Sequence, residues 1–287
     1  MSELYVHFPK QATAVYIDNF LKAVRDVRGI SNTKMVFDLR NTSELSSIFV
    51  CFICGLVDLA REFNNKIEFL MPAHRKTADT LRAIKKIVPQ VGRPPLMLAE
   101  KMCQLRKITS HNSQPIEDII TLIGHHLKLS PSLQEDIQLL LNELLTNAID
   151  HGGREECYVC AGKWGKSNFV HFTVLDFGVG IPAKIRSMFK FDHDSSAIQG
   201  LLQQGLTTRV GREGGNGYKF IQEVMRRTNG RFYVYSGDAK AAYKYDRGEY
   251  GSKKARRPFG GTCVDLAFNL TPRNIPENYE DHIEEIF

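Results

Sequence analysis

Residues 135–153 read EDIQLLLNELLTNAIDHGG and residues 174–182 read VLDFGVGIP, and these two stretches decide the fold of the chain. In the first, Glu143 and Asn147 are four residues apart, so they project from one face of a predicted helix. Asp150 follows on the next turn, and the rest of the helix is largely apolar. A carboxylate beside a carboxamide can hold Mg²⁺ through oxygen ligands and orient a water or hydroxyl group.

The second stretch is a tight turn after a predicted strand. Asp176 directly follows the strand-like run His171–Leu175. Gly178 and Gly180 let the backbone turn sharply and approach a ligand closely. Taken singly, either pattern is more often an ordinary helix edge or an ordinary turn. Their order and spacing, together with two later elements, point to a nucleotide site.

The later elements are glycine-rich. Residues 211–217 read GREGGNG and precede a predicted helix over Tyr218–Thr228, and Gly260-Gly-Thr262 precedes a predicted strand over Cys263–Phe268. With the first two stretches, they resemble the N box, G1 box, G2 lid and late Gly-Thr of the GHKL ATPases, the superfamily of sensor histidine kinases, gyrase, and chaperone and mismatch-repair ATPases. The resemblance covers roughly residues 113–272.

The resemblance implies a Bergerat-type two-layer α/β sandwich, with helices on one face of a mixed sheet, that binds ATP and Mg²⁺. It implies that Asp176 and Thr262 recognise adenine, that Asn147 holds Mg²⁺, and that Glu143 is the candidate catalytic base. Lys219 departs from the usual lid pattern and either contacts phosphate or is a solvated helix residue. The remaining expected cofactor-binding positions are Asp150, Gly178, Gly180, Gly215 and Gly217.

The N-terminal part has its own α/β organisation. Alternating and helical spacings predict strands over 3–8, 34–39 and 66–70, and helices over 14–27, 46–63 and 75–87. Residues 36–47 resemble the phosphoacceptor region of STAS domains, with Asp38, Ser46 and Ser47 in comparable places. Two positions depart from that pattern: the acid that precedes the serines is displaced by one residue, to Glu44, and Ile48 stands where glycine is expected. Ser46 and Ser47 are candidate phosphoacceptors, and for Ser46 a helix N-cap is the favoured alternative.

These patterns predict a STAS-like domain over 1–92, a linker over 93–112, a GHKL domain over 113–275 and an acidic tail over 276–287. The net charge is +6, and 17 Lys/Arg against 10 Asp/Glu lie in residues 1–112. Because acids are interspersed there, we expect a solvated surface and no nucleic-acid partner. Neither a membrane span nor a signal peptide is evident, so a cytoplasmic protein is expected. The Cys51/Cys54 and Cys157/Cys160 pairs are expected in the core rather than in a zinc site.

Three functions are compatible with the residues. The run NELLTNAIDHGG (142–153) resembles the anti-sigma-factor kinases most closely, which implies phosphoryl transfer to a protein serine or threonine in partner switching. Alternatively, ATP binding or hydrolysis drives a conformational or dimerisation switch without protein phosphorylation. A third possibility is a nucleotide-gated interaction module with little turnover. Each implies a protein partner, and the sequence leaves a homodimer open.

Overall fold

The computed structural model describes residues 2–86, 96–98, 103–109, 116–117, 120–121, 130–152, 154, 156–163, 168–204 and 216–269. The strands there are β1 (Glu3–His7), β2 (Gln11–Ala12), β3 (Lys34–Asp38), β4 (Glu44–Leu45), β5 (Lys66–Leu70), β6 (Leu96–Leu98), β7 (Cys103–Ile108), β8 (Cys157–Lys163), β9 (Phe169–Asp176), β10 (Arg231–Lys244) and β11 (Glu249–Asn269). The helices are α1 (Ile17–Val27), α2 (Ser47–Glu62), α3 (Arg75–Lys86), α4 (Pro131–Gly152), α5 (Ile181–Arg186), α6 (Asp194–Gln204) and α7 (Asn216–Arg227). No helix of the described residues is long and apolar enough to cross a membrane.

The N-terminal unit, residues 2–86, confirms the strands and helices predicted from periodicity. Strands β1, β3 and β5 form a parallel sheet in the order β1-β3-β5, and β2 pairs with β4. Parallel neighbours need a crossover connection, and α1 and α2 provide it. The specific likeness to STAS domains stays a prediction.

Helix α2 is the central helix of the molecule. Thirteen of its sixteen residues are buried, including Phe49 and Phe52. A helix that is apolar all round must be covered on more than one side. One side packs against the N-terminal sheet and α1, and another packs against strands β8 and β9. The N-terminal unit therefore shares a core with the C-terminal part.

The C-terminal part is built on a six-stranded sheet in the order β10-β11-β9-β8-β7-β6. Helices α4, α6 and α7 cover one face, where their apolar residues share a core with alternate residues of the strands. Helix α2 covers the opposite face. The alternation is clear in β8. Val159 and Ala161 face α4, whereas Tyr158 and Cys160 face α2.

The predicted core cysteines are buried. Cys51 and Cys54 lie on α2, while Cys157 and Cys160 face opposite sides of β8, as the three-residue spacing predicts for a strand. Among the residues that the structure describes, no group of three or more His, Cys, Asp or Glu could hold a metal ion.

Two expectations need correction. Every described pairing of the large sheet is antiparallel, because its strands follow one another mainly as a meander and a hairpin, so the expected mixed sheet is wrong. Part of the expected 93–112 linker is strand, since β6 and β7 extend the sheet beyond β8. The basic cluster 253–257 lies in β11, where buried Ala255 alternates with exposed cationic neighbours. The acidic tail lies outside the described residues.

Candidate functional site

The site is organised around Asp176, the last residue of β9. Its side chain is 3% exposed, and its strand position pairs with Thr262 of β11. The backbone N–H of Gly178 donates to its Oδ1 at 2.8 Å. Burial raises the pKa of Asp176 to about 6, while hydrogen bonds from Gly178 and Thr262 and the charge of Arg28 oppose that rise. Above that pH Asp176 is a buried carboxylate, a specific acceptor for an amino group such as that of adenine.

Two glycines let strand β11 approach the Asp176 turn. Gly180 has φ +83°, and a Cβ there would lie 2.9 Å from the Ser236 hydroxyl. Gly261 has φ +137°, and a Cβ there would lie 2.3 Å from the Asp176 carbonyl oxygen. A side chain at either position would combine backbone strain with a clash. Gly180 and Gly261 therefore fix the geometry of the turn, and Gly178 supplies its N–H.

Ser236 of β10 is a buried site residue that sequence reasoning missed. Its hydroxyl donates to the Gly261 carbonyl at 2.8 Å and accepts from the Ile181 N–H at 2.8 Å. It also lies 3.2 Å from the Thr262 hydroxyl, its cross-strand partner. The only signal for it would have been the Ser–Thr pairing across the β10–β11 hairpin, which is invisible without the register.

Glu143 and Asn147 lie on α4 as predicted. The Asn147 amide donates from Nδ2 to the Glu143 carboxylate at 3.2 Å, and both side chains are half-buried. The amide nitrogen is held by Glu143, so the amide oxygen is the atom that would coordinate Mg²⁺. Asp150, also expected in the site, is exposed on the last turn of the same helix.

Tyr218 on α7 is a second residue that was missed. It is buried on α7, and burial raises the pKa of its phenol, with the charges of Asp176 and Glu143 adding to the effect. Both carboxylates therefore lie close enough to Tyr218 to act on it. Helix α4, which carries Glu143, packs against both α7 and β9, the strand that ends at Asp176.

Helix α7 begins within the glycine-rich sequence 211–217. Asn216 is its first residue, Gly217 follows in the first turn, and Lys219 is exposed there. A helix start presents backbone N–H groups that favour an anion such as phosphate. Gly215 lies outside the described residues.

The two candidate phosphoacceptors lie at the start of α2. Ser46 occupies the N-cap position, but its side chain makes no capping hydrogen bond. Ser47 is fully buried, and its hydroxyl accepts a 2.8 Å hydrogen bond from Thr173 and lies 3.3 Å from Asp265. Because α2 and α4 cover opposite faces of the sheet, Ser47 and Glu143 are separated by the sheet itself.

Comparison with protein families agrees with this geometry. Residues 132–272 match the family described as histidine kinase-, DNA gyrase B-, and HSP90-like ATPase. The chain carries a GHKL-type ATPase domain. The domain supports an ATP-binding regulatory function, and ATPases of this family generally bind ATP with Mg²⁺. A comparison with curated proteins gives no match.

Proposed function

We propose that the protein is a regulatory serine/threonine kinase that transfers the γ-phosphate of Mg-ATP to a separate protein in the cytoplasm. The observation that carries the proposal is the hydrogen-bonded Glu143–Asn147 pair on α4, the helix that packs against β9, whose last residue is the buried Asp176. The resemblance of residues 142–153 to the anti-sigma-factor kinases supports the same reaction.

Each residue has a distinct role in this proposal. Asp176, supported by Thr262, would accept a hydrogen bond from the adenine amino group, and the N–H groups at the start of α7 would donate to the phosphates. Asn147 would hold Mg²⁺, which would neutralise the charge of the phosphates. Glu143 accepts the proton of the substrate hydroxyl as its oxygen bonds to the γ-phosphorus and the bond to the ADP oxygen breaks.

The position of the candidate phosphoacceptors favours a substrate on another chain. Ser47 is fully buried beneath the opposite face of the sheet from Glu143. Phosphorylation of Ser47 by the same molecule would require α2 to leave the sheet and expose the core residues around Phe52. A partner protein that presents its own serine or threonine needs no such change.

A second candidate is an ATP-gated switch that controls a partner, as a monomer or a homodimer, without protein phosphorylation. It is favoured by the contact of the N-terminal unit with the Asp176 turn, in which Phe177 packs against Phe52 of α2 at 6.1 Å between ring centroids. A change of the turn on ATP binding would reach the N-terminal unit directly.

The experiment follows γ-labelled ATP with Mg²⁺, a library of serine- and threonine-containing peptides, and the purified chain. Free phosphate, labelled peptide and labelled chain are measured for wild type, Glu143→Ala and Glu135→Ala. Glu135 is the matched control because it lies exposed on the same helix. Binding of ATP is measured in parallel by calorimetry.

Labelled peptide that is lost with Glu143→Ala and kept with Glu135→Ala would support the kinase. Free phosphate alone, lost with the same variant, would instead favour an ATPase switch. Labelled chain that disappears in the Ser46→Ala/Ser47→Ala double variant would contradict the separate-substrate assignment. No ATP binding by wild type would overturn the proposed function as a whole.

A further inference from the structure

Arg28, at the end of α1 in the N-terminal unit, contacts the turn that carries Asp176. Its Nη2 donates to the carbonyl oxygen of Phe177, and its guanidinium carbon lies 5.6 Å from the centre of the Phe177 ring. Gly260 also adjoins the guanidinium, since an added Cβ there would lie 2.6 Å from Nη1. The guanidinium therefore contacts both Phe177 and Gly260, which adjoin Asp176 and Gly261 in sequence.

The Phe177 ring is held by the N-terminal unit as well. A Cβ on Gly55 of α2 would lie 2.0 Å from the edge of this ring, so the glycine is needed for the ring to fit. Tyr158 and Phe259 pack edge-on at 6.1 and 5.8 Å between ring centroids. The N-terminal unit thus contacts both the backbone and the side chain of Phe177.

Arg28 also influences the Asp176 carboxylate. The two charges favour each other's ionised forms, although burial lowers the pKa of Arg28. Among the described residues, Asp176 also acts on the thiols of Cys157 and Cys263 and on the phenol of Tyr218, whose pKa values burial raises, so these groups stay uncharged near neutral pH. Arg28 is the cation that favours the Asp176 charge within this described part of the chain.

Two further charges lie near the guanidinium. Glu62 at the end of α2 favours the Arg28 charge and Arg154, after α4, disfavours it, while Arg154 and Glu62 form an ion pair. Arg28 therefore lies where the N-terminal unit, the end of the α4 segment and the Asp176 turn meet.

We propose that Arg28 is a positioning residue of the nucleotide site, through which the N-terminal unit sets the affinity for ATP. The inference rests on the proposed binding of ATP at Asp176. By holding the Phe177 carbonyl, Arg28 orients the peptide that follows Asp176, and with it the Gly178 N–H that donates to the carboxylate. A partner that shifts α1 would change ATP affinity, and ATP would change the affinity for that partner by the same factor.

The test compares wild type with the single variants Arg28→Gln, Arg28→Lys and Gly260→Ala. A double variant combines Gly260→Ala with Arg28→Gln. Arg75→Gln is the control, because its side chain is 94% exposed on α3. Calorimetry with Mg-ATP gives the Kd as a function of pH, and urea unfolding checks that each variant is folded. Gly260→Ala displaces the guanidinium without removing it, so it tests the contact independently of the charge.

Arg28→Gln and Gly260→Ala are each expected to raise the Kd about tenfold, because each removes a hydrogen bond from a charged donor. Together they should raise it no further, since both break the same contact. In Arg28→Gln the pH at which ATP affinity is half lost should rise, whereas Arg28→Lys, which keeps the charge, should restore that midpoint.

The inference is overturned if wild type binds ATP and the folded variants Arg28→Gln and Gly260→Ala each have a Kd within twofold of the wild-type value. That result would leave the proposed function standing. Additive effects of the two changes would also overturn it, because they would then act through different contacts. Wild type that binds no ATP would mean that the proposed function has failed.

Discussion

Replacing Asp176 by asparagine should make the protein more stable and a weaker ATP binder. The pKa of Asp176 in the folded state is about 6, against an ordinary value of 3.8, because burial disfavours the charged form. A carboxyl group whose pKa is raised by folding destabilises the folded state once it ionises. A rise of about two pKa units corresponds to about 3 kcal/mol of unfolding free energy.

The sign determines the pH window. Below about pH 4 the carboxyl is protonated in both the folded and the unfolded state, so it does not lower the unfolding free energy. The loss of unfolding free energy grows between about pH 4 and 6 and is complete above about pH 6. Asparagine never ionises, so Asp176→Asn should gain about 3 kcal/mol at pH 8 and little at pH 4. The amide oxygen can still accept from Gly178. The amide nitrogen is a donor, so it cannot accept a hydrogen bond from the adenine amino group.

Urea unfolding at about pH 4 and about pH 8 measures the first effect, and calorimetry with Mg-ATP at pH 8 measures the second, with Asp192→Asn as an exposed control. We expect a loss of ATP affinity of about tenfold or more, from the lost charged hydrogen bond. The reasoning is refuted if Asp176→Asn is less stable than wild type at pH 8, or if its gain is the same at both pH values.

Three further predictions concern the same surroundings. Gly261→Ala should abolish ATP binding and destabilise the protein by about 2 kcal/mol or more, because the residue has φ +137° and its Cβ would clash with the Asp176 carbonyl; unfolding and calorimetry measure both. Ser47→Ala should cost about 1 kcal/mol for its hydrogen bond with Thr173, whereas Ser47→Asp should cost about 3 kcal/mol or more by burying an unpaired charge; equal unfolding free energies would contradict this. Gly55→Ala should gain about 1 kcal/mol from helix propensity, but the added methyl group would lie 2.0 Å from the Phe177 ring. This variant should therefore lower ATP affinity, whereas the control Gly251→Ala, with open space around the added methyl group, should not.

The sequence predicts the local elements well and their assembly poorly. Helix α2 and strand β5 follow from periodicity because each depends on its own residues. The register that pairs Thr262 with Asp176, and so exposes the role of Ser236, depends on residues far apart in the chain. The hydrogen bond from Arg28 to Phe177 joins residues 149 positions apart, and no local pattern indicates it. Strand β6 was missed because three apolar residues after a proline pair carry no measurable period.

The sequence does not indicate which element covers the face of the six-stranded sheet opposite α4. The apolar run of α2 reads as the core helix of a separate domain, because a buried helix looks the same whichever surfaces cover it. In the structure one side of that helix packs against β8 and β9, so the N-terminal unit contributes core to the nucleotide-binding sheet.

Neighbouring residues of the Asp176 turn therefore have opposite energetic effects. Asp176 is destabilising because its charge is buried, while Phe177 is stabilising because its ring lies in the aromatic cluster shared with α2. Burial of an aromatic side chain is worth about as much as the ionisation of Asp176 costs, roughly 3 kcal/mol. Removing the N-terminal unit would expose the ring and leave the charge, so the isolated ATPase domain should hold this turn less firmly. The core that α2 shares with the sheet therefore supports the turn that carries Asp176.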